Sequence, residues 1–297
     1  MSSYLGRFAP SPTGPLHAGS LVTALASYLD ARAHDGRWLL RIEDLDPRRE
    51  TPGAAQAIIA ELAMLGFEAD APVLFQSTRH AAYQDAFERL AHAGLVYPCA
   101  CSRREIADSQ VSPTPDGEAV YPGTCRAGLP PGRAVRSWRL RVGDGTITWA
   151  DRPAGWDHGR TQRSVLAQEI GDFVVRRADG SWAYQLAVVV DDAWQGITDV
   201  VRGADLVGST ARQIHLRRLL AYREIRTLHV PVVLAPDGQK LSKQTGATPI
   251  TAGNPLPALE SALAHLGLAV PARGTIGQFW RHAIPRWRES AWTQGVT

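Results

Sequence analysis

The sequence predicts an α/β fold: a parallel sheet interrupted by an inserted subdomain and followed by a short helical tail. Three observations predict it. Strand-like and helix-like stretches alternate over the first 96 residues. The alternation stops near Tyr97 and returns near residue 171. Finally, the 53 residues after Gln244 hold one clear helical stretch. Strands that alternate with helices at this spacing need crossover connections, which lay the strands parallel.

The elements are justified in order. "YLGRF" (Tyr4 to Phe8) reads as a short strand. Leu21, Leu25, Tyr28 and Leu29 then recur at helical spacing between Leu16 and about His34. "RWLLRIED" (Arg37 to Asp44) is strand-like. Thr51 and Pro52 read as the N-cap and first position of a helix to about Leu65 that closes on Gly66. "PVLFQS" is a third strand, and a helix runs from about Arg79 to Ala93. From Tyr97 to about Ile170 lie the cysteines, the polar run "DSQVSPTPDGEAV" and the β-like pieces "RSWRLRV" and "GTITWAD". Beyond them "DFVVRRADGSWAYQ" reads as a hairpin with Asp179 and Gly180 at its turn. A helix to about Trp194, the strand "ITDVVRG", a helix from Ser209 to Ala221 and the strand "HVPVVLA" follow. A last helix covers Leu256 to Leu266. Residues 1–96 and 171–245 are thus two halves of one catalytic domain, 97–170 an insertion and 246–297 a tail, with no internal repeat.

Composition narrows the class. The chain has 297 residues, 44% hydrophobic and 21% charged, as ordinary globular proteins do. No apolar run approaches the roughly 20 residues that span a bilayer, and the N-terminus lacks a basic region followed by an apolar core. A cytoplasmic protein without a membrane partner is expected. A net charge of +3 neither demands nor excludes nucleic acid. No apolar helix stripe stands out, so a monomer is expected.

Two stretches suit phosphate. In "RFAPSPTGPLHAGS", Pro10, Pro12 and Pro15 stiffen a loop above a helix N-terminus, whose unpaired N–H groups attract anions. Gly14 and Gly19 leave room for a base or phosphate, and His17 offers an imidazole donor. At the other end, "KLSKQ" follows the turn "PDGQ" and holds Lys240 and Lys243, the only lysines in the chain. Lys243 then sits at the carboxyl edge of the last strand, where open α/β sheets bind ligands.

These stretches resemble the HIGH and KMSKS signatures of class I aminoacyl-tRNA synthetases. "RFAPSPTGPLHAG" and "RIEDLDPRRE" are similar to the glutamate-activating branch. Ser20 stands where the first signature has its second histidine. The resemblance covers roughly residues 4 to 245. It implies a Rossmann fold, ATP with Mg²⁺, and an ATP site drawn from Pro10, His17, Gly19, Ser20, Lys240, Leu241, Ser242 and Lys243, with His17 and Lys243 catalytic.

Glutamate needs an acid for its ammonium and arginine for its side chain. Glu43 ends one strand, Arg7 another and Arg202 a third, and a planar guanidinium would prefer glutamate to neutral glutamine. By resemblance, Arg7, Ala9, Ser11, Glu43, Tyr184 and Arg202 match the branch's glutamate contacts. The bland alternatives are a structural ion pair for Glu43 and Arg202, and a core aromatic for Tyr184. The implied chemistry is attack of the glutamate α-carboxylate on the α-phosphorus of ATP, with pyrophosphate leaving.

Cys99, Cys101 and Cys125 are an odd, clustered set, which in a cytoplasmic chain favours metal over disulfides. A structural Zn²⁺ needs four ligands. By resemblance the fourth is Tyr121; His92, His158 or water are rivals, and three idle thiols are the bland alternative. The Cys-x-Cys and Tyr-x₃-Cys arrangement, "HAGS" and the short tail resemble a truncated glutamate-activating branch without an anticodon-binding domain. That branch glutamylates the queuosine base at the wobble position of tRNA(Asp). Arg281, Arg286 and Arg288 beside Trp280 and Trp287 are a candidate RNA-facing surface, or else a solvated helix with packed tryptophans. The rival functions are a reduced or discriminating glutamyl-tRNA synthetase that charges a 3′ end, a non-catalytic RNA- or zinc-binding remnant, and a small nucleotidyltransferase.

Overall fold

A computed structural model describes residues 4–108, 120–152, 159–234, 255–271 and 274–294. The first α/β half runs β1 (Leu5–Phe8), α1 (Ala18–Ala33), β2 (Arg37–Ile42), α2 (Ala54–Met64), β3 (Leu74–Phe75) and α3 (His80–His92). β1 pairs in parallel with β2, and β2 with β3. The insertion holds β4 (Val96–Cys99), α4 (Arg103–Asp108), β5 (Ser137–Leu140), β6 (Thr146–Ala150), β7 (Thr161–Val165) and β8 (Val174–Arg176). Here pairing is antiparallel, β4 with β5, β5 with β8 and β6 with β7.

The second half is α5 (Tyr184–Trp194), β9 (Asp199–Gly203), α6 (Thr210–Leu219) and β10 (Arg226–Val230), with β9 and β10 parallel. Thr198 stitches the halves together. Its N–H donates to Leu5 O at 2.9 Å, and its Oγ1 accepts from Leu5 N at 2.8 Å. The parallel strands therefore lie in the order β3-β2-β1-β9-β10, with α1 crossing behind. α1 is buried almost all round, without a break from Ala24 to Ala31, because β1, β9 and the two tail helices all pack against it.

Four expectations shift. Thr51 does not cap α2: Gly53 does, in a left-handed conformation, while Thr51 N–H bonds Pro12 O at 3.0 Å. The final strand begins at Arg226 rather than His229, and Pro231, which has no N–H to donate, stands just past its end. The hairpin narrows to one bridge, Arg176 to Trp182, around the Asp179–Gly180 turn, and Tyr184 already belongs to α5. The tail has two helices, α7 (Leu256–His265) and α8 (Ile276–Glu289). Gly277 and Pro285 disguise α8, yet Thr275 and Gln278 form a capping box at its start.

α8 also corrects the RNA-facing surface. Trp287 is fully buried and donates from Nε1 to Asp30 at 3.0 Å; Trp280 donates to Leu65 O at 3.1 Å. A Cβ on Gly66 would meet Trp280 Nε1 at 2.6 Å, so only glycine lets α8 dock there. Both tryptophans are core. Arg288 is tied to Ala33 O at 2.8 Å and to Asp35 at 2.7 Å, while Arg281 and Arg286 are exposed. Among the described residues, no helix is long and apolar enough to cross a membrane.

Candidate active site

The carboxyl ends of β1, β2 and β9 open into a cleft of about 650 Å³. Pro10, His17, Gly19, Ser20, Arg7, Ala9, Ser11, Glu43, Tyr184 and Arg202 all line it. Strand ends from both halves thus bring together candidates up to 195 residues apart in the chain. Lys240, Leu241, Ser242, Lys243 and His158 lie outside the described residues.

Backbone hydrogen bonds hold the proline loop. Pro10 O accepts from Glu43 N and Pro12 O from Thr51 N, both at 3.0 Å, and Leu16 N donates to Glu61 Oε2 at 2.8 Å. Gly14 has φ 134°, which other residues rarely adopt. His17 is the N-cap of α1: its Nδ1 accepts from Ser20 N at 3.3 Å, and Ser20 Oγ accepts from His17 N at 2.8 Å. With Nδ1 an acceptor, the imidazole proton resides on Nε2. Ser20, the departure from the family signature, is the reciprocal half of this cap.

Beneath the cleft lies a floor of buried charge centred on Asp192 of α5, which reaches the cleft lining through Arg7 and Glu43. Arg7 Nε lies 3.2 Å from it, Arg41 NH1 2.8 Å and Arg217 NH2 3.2 Å, all buried. Burial opposes the charge of Asp192, but the three guanidinium groups overcome this and hold its carboxyl well below the usual range. Burial pushes Glu43 the other way, up, with Arg41 at 3.4 Å and Arg7 offsetting part of the shift. The partner of Glu43 is Arg41, not Arg202.

Arg202 differs from Arg7. Its Nε donates to His229 Nε2 at 2.9 Å, NH1 to Gln213 Oε1 at 2.7 Å and NH2 to Thr210 Oγ1 at 2.9 Å. All three acceptors are neutral. The fork of Arg7 is engaged by Asp192, whereas Arg202 makes no ion pair with a carboxylate among the described residues. Three of the four guanidinium groups meet Asp192 or Glu43 directly, Arg202 meets no carboxylate, and Asp151 stands behind its partner His229. In the cleft lining itself, Arg7, Arg49 and Arg202 stand against Glu43 and Asp205, so the surplus is positive and suits an anion. Tyr184 is 37% exposed at the start of α5 and faces the cleft, which removes the core-aromatic alternative.

In the insertion, Cys99, Cys101 and Cys125 bring their sulfurs within 4.8 Å of one another. Cys101 Sγ and Cys125 Sγ are 3.7 Å apart, and Tyr121 Oη lies 3.4 Å from Cys99 Sγ and 3.5 Å from Cys101 Sγ. Zinc–sulfur bonds of about 2.3 Å in a tetrahedron separate sulfurs by about 3.8 Å. The donor set fits. Burial would raise the Cys99 thiol, but the Tyr121 hydroxyl, the Cys101 backbone and Arg139 outweigh it and bring the thiol down to about 7. Arg139 also lies over the Tyr121 ring, 3.9 Å from its centroid. His92 is exposed and is not part of the cluster.

Sequence reasoning missed Asp192, Arg41, Arg217, Gln213 and His229. One signal was present: "LAVVVDDAW" buries two adjacent acids in an apolar helix, which requires partners. Nothing local marks Arg217 or His229.

A family model described as the catalytic domain of class I tRNA synthetases (E and Q) matches residues 5–127 and 150–256. The chain belongs to this family of enzymes. Over 292 residues, 96% of both chains, it is 60% identical to a protein of Burkholderia cenocepacia (strain HI2424) named glutamyl-Q tRNA(Asp) synthetase. A protein of the same name from Aromatoleum aromaticum is 56% identical over 287 residues, covering 96% of this chain and 89% of that one. Among solved structures, a glutamate–tRNA synthetase from Elizabethkingia anophelis superimposes with a TM-score of 0.76 at 25% identity, over 99% of this chain and 67% of that one. A glutamate tRNA ligase from Elizabethkingia meningosepticum, crystallised with its amino acid, gives 0.68 at 28% identity. The match covers 82% of this chain and 53% of that ligase. Activity of the glutamate–tRNA synthetase kind is supported on both counts.

Proposed function

We propose that this protein activates glutamate with ATP and transfers it to the queuosine base at the wobble position of tRNA(Asp). The observation that carries the glutamate reading is Arg202: a buried guanidinium opening on the cleft, with neutral partners only, across from Glu43. A glutamate side-chain carboxylate satisfies Arg202, while its ammonium meets Glu43 near Tyr184. Arg7, Ala9 and Ser11 line the same end. Glutamine offers Arg202 no charge and is disfavoured.

The other end of the cleft receives ATP. Pro10, Gly19 and Ser20 border it at the start of α1, and His17 donates from Nε2 to phosphate. Lys240, Leu241, Ser242 and Lys243 complete the ATP site, with Lys243 neutralising developing charge. Mg²⁺ bound with ATP supplies further neutralisation. The α-carboxylate attacks the α-phosphorus in line, pyrophosphate leaves, and glutamyl adenylate remains. No protein nucleophile is required; catalysis is positioning and charge stabilisation. The acyl group then passes to queuosine and AMP leaves. A single-stranded anticodon loop presents unstacked bases, as an acceptor end does.

Zn²⁺ held by Cys99, Cys101, Tyr121 and Cys125 is a structural ion in this reading, because four protein ligands leave no open position. The acceptor is supported by the names of the relatives, and one experiment tests it. Labelled glutamate and ATP are offered to tRNA(Asp) with and without queuosine, and the labelled nucleotide is then mapped. Label on the wobble nucleotide only in the modified tRNA is expected. Label at the 3′ end would show a charging synthetase instead, and no label at all an inactive remnant.

A further inference from the structure

The bonds around Arg202 have only one possible direction. A guanidinium donates and never accepts. His229 Nε2, 2.9 Å from Arg202 Nε, therefore carries no proton, and the ring proton of the neutral imidazole resides on Nδ1. Asp151 Oδ2 accepts the backbone N–H of His229 at 2.7 Å, while Nδ1 and Asp151 Oδ1 lie 3.2 Å apart without hydrogen-bond geometry. Asp151 and His229 are both buried. Asp151 directly follows β6, and the next residue, Arg152, bonds Thr227 O in β10 through its N–H at 3.1 Å. The same logic orients Gln213: its oxygen accepts from Arg202, so its nitrogen donates onward, to Gln185 Oε1 at 3.2 Å.

This is an unusual way to hold an arginine. A carboxylate in direct contact would fix the guanidinium and offset its charge, as Asp192 does in part for Arg7. Here the carboxylate stands one ring away. The imidazole accepts from the fork without neutralising it. A doubly protonated His229 would set donor against donor, so the arrangement works only with the neutral ring.

The geometry points to His229, anchored through its backbone by Asp151, as the positioning residue that aims Arg202 at the substrate's side-chain carboxylate and so sets the preference for glutamate over glutamine. This inference rests on the proposed role of Arg202. It assigns the selectivity of the site to residues that do not line the cleft.

The test is glutamate-dependent ATP–pyrophosphate exchange with the wild type, His229→Leu and His229→Gln. Leucine removes the acceptor, whereas glutamine carries an amide oxygen to about the position of Nε2. In His229→Leu the KM for glutamate rises about tenfold or more, the scale of one lost hydrogen bond to a charged group. Its kcat changes far less, and discrimination against glutamine falls in step. His229→Gln recovers most of both. If His229 merely filled space, its loss would lower the melting temperature and the fraction of active enzyme but leave KM and discrimination unchanged; that result overturns the inference. Should His229→Leu not fold, nitrogen NMR of the wild-type ring decides. A proton on Nδ1 with Nε2 bare supports the inference, and the opposite tautomer or a doubly protonated ring at neutral pH overturns it. Absence of exchange in the wild type would defeat the glutamate reading itself, and this inference with it.

Discussion

The floor of the cleft and the cysteine cluster of the insertion are both buried and polar, and they differ in the sign of what is left uncompensated. On the floor, Arg7, Arg41 and Arg217 converge on Asp192, while Arg202 keeps a charge that no contacting group cancels. In the insertion, three sulfurs and a phenol converge with Arg139 against them and Arg133, paired with Glu105, nearby. The first arrangement calls for an anion, the second for a cation. Burial amplifies both demands, because a low-dielectric surrounding strengthens every unpaired charge. Local charge balance thus reveals the ligand class more directly than the whole chain's near-neutral charge, which says little about either site.

The largest effect expected from breaking this comparison comes from Asp192→Asn. Three buried guanidinium groups would lose their shared counter-charge, at a cost of about 3–5 kcal/mol of stability, readable by urea unfolding. The sign with pH follows from the depressed native pKa of Asp192. Its contribution is fully present above the unfolded carboxyl value of about 3.9 and is lost as pH falls through the lower native value. The wild type should therefore lose stability in acid below about pH 4, and this part of the slope should vanish in Asp192→Asn. An unchanged slope would show that other carboxylates dominate.

Next in size is Arg202→Gln, which removes the uncompensated charge without opening a large cavity. The KM for glutamate should rise by roughly a hundredfold, and preference over glutamine should collapse, as measured by pyrophosphate exchange. Retained discrimination would transfer the selective role to Arg7. The smallest effect on the cleft is expected from Cys125→Ser. Metal analysis of the purified protein should show one zinc per chain in the wild type and none in the variant, with the glutamate KM changed less than about twofold. A large change in KM would mean that the two clusters are coupled, contrary to their separate charge balance.

How legible these two sites were differs as well. The cysteine cluster could be read from spacing, since its donors lie within 27 residues of one another. The ends of the cleft were legible from "PSPTGPLHAGS", "RIED" and "VVRG", each a loop or strand end with unusual chemistry. The floor was not, because Asp192 meets Arg7, Arg41 and Arg217, and Arg202 meets His229, only when separate elements come together, and local sequence carries no record of those meetings. Fold errors had the same origin. α8 carried a capping box and an apolar face at Ile276, Phe279, Trp280, Ala283 and Trp287, but Gly277 and Pro285 obscured both. The tryptophans looked like a binding surface until α1 and Asp30 covered them.

By itself the sequence determined the parallel α/β layout, the phosphate-suited loop ahead of α1 and the soft-donor cluster, since periodicity, backbone stiffness and ligand spacing are local properties. Only the tertiary structure decided that Arg7 shares a carboxylate with two other arginines while Arg202 contacts none. That distinction depends on which side chain from a distant element comes within about 3 Å, and the strength of a buried charge depends on those nearest neighbours.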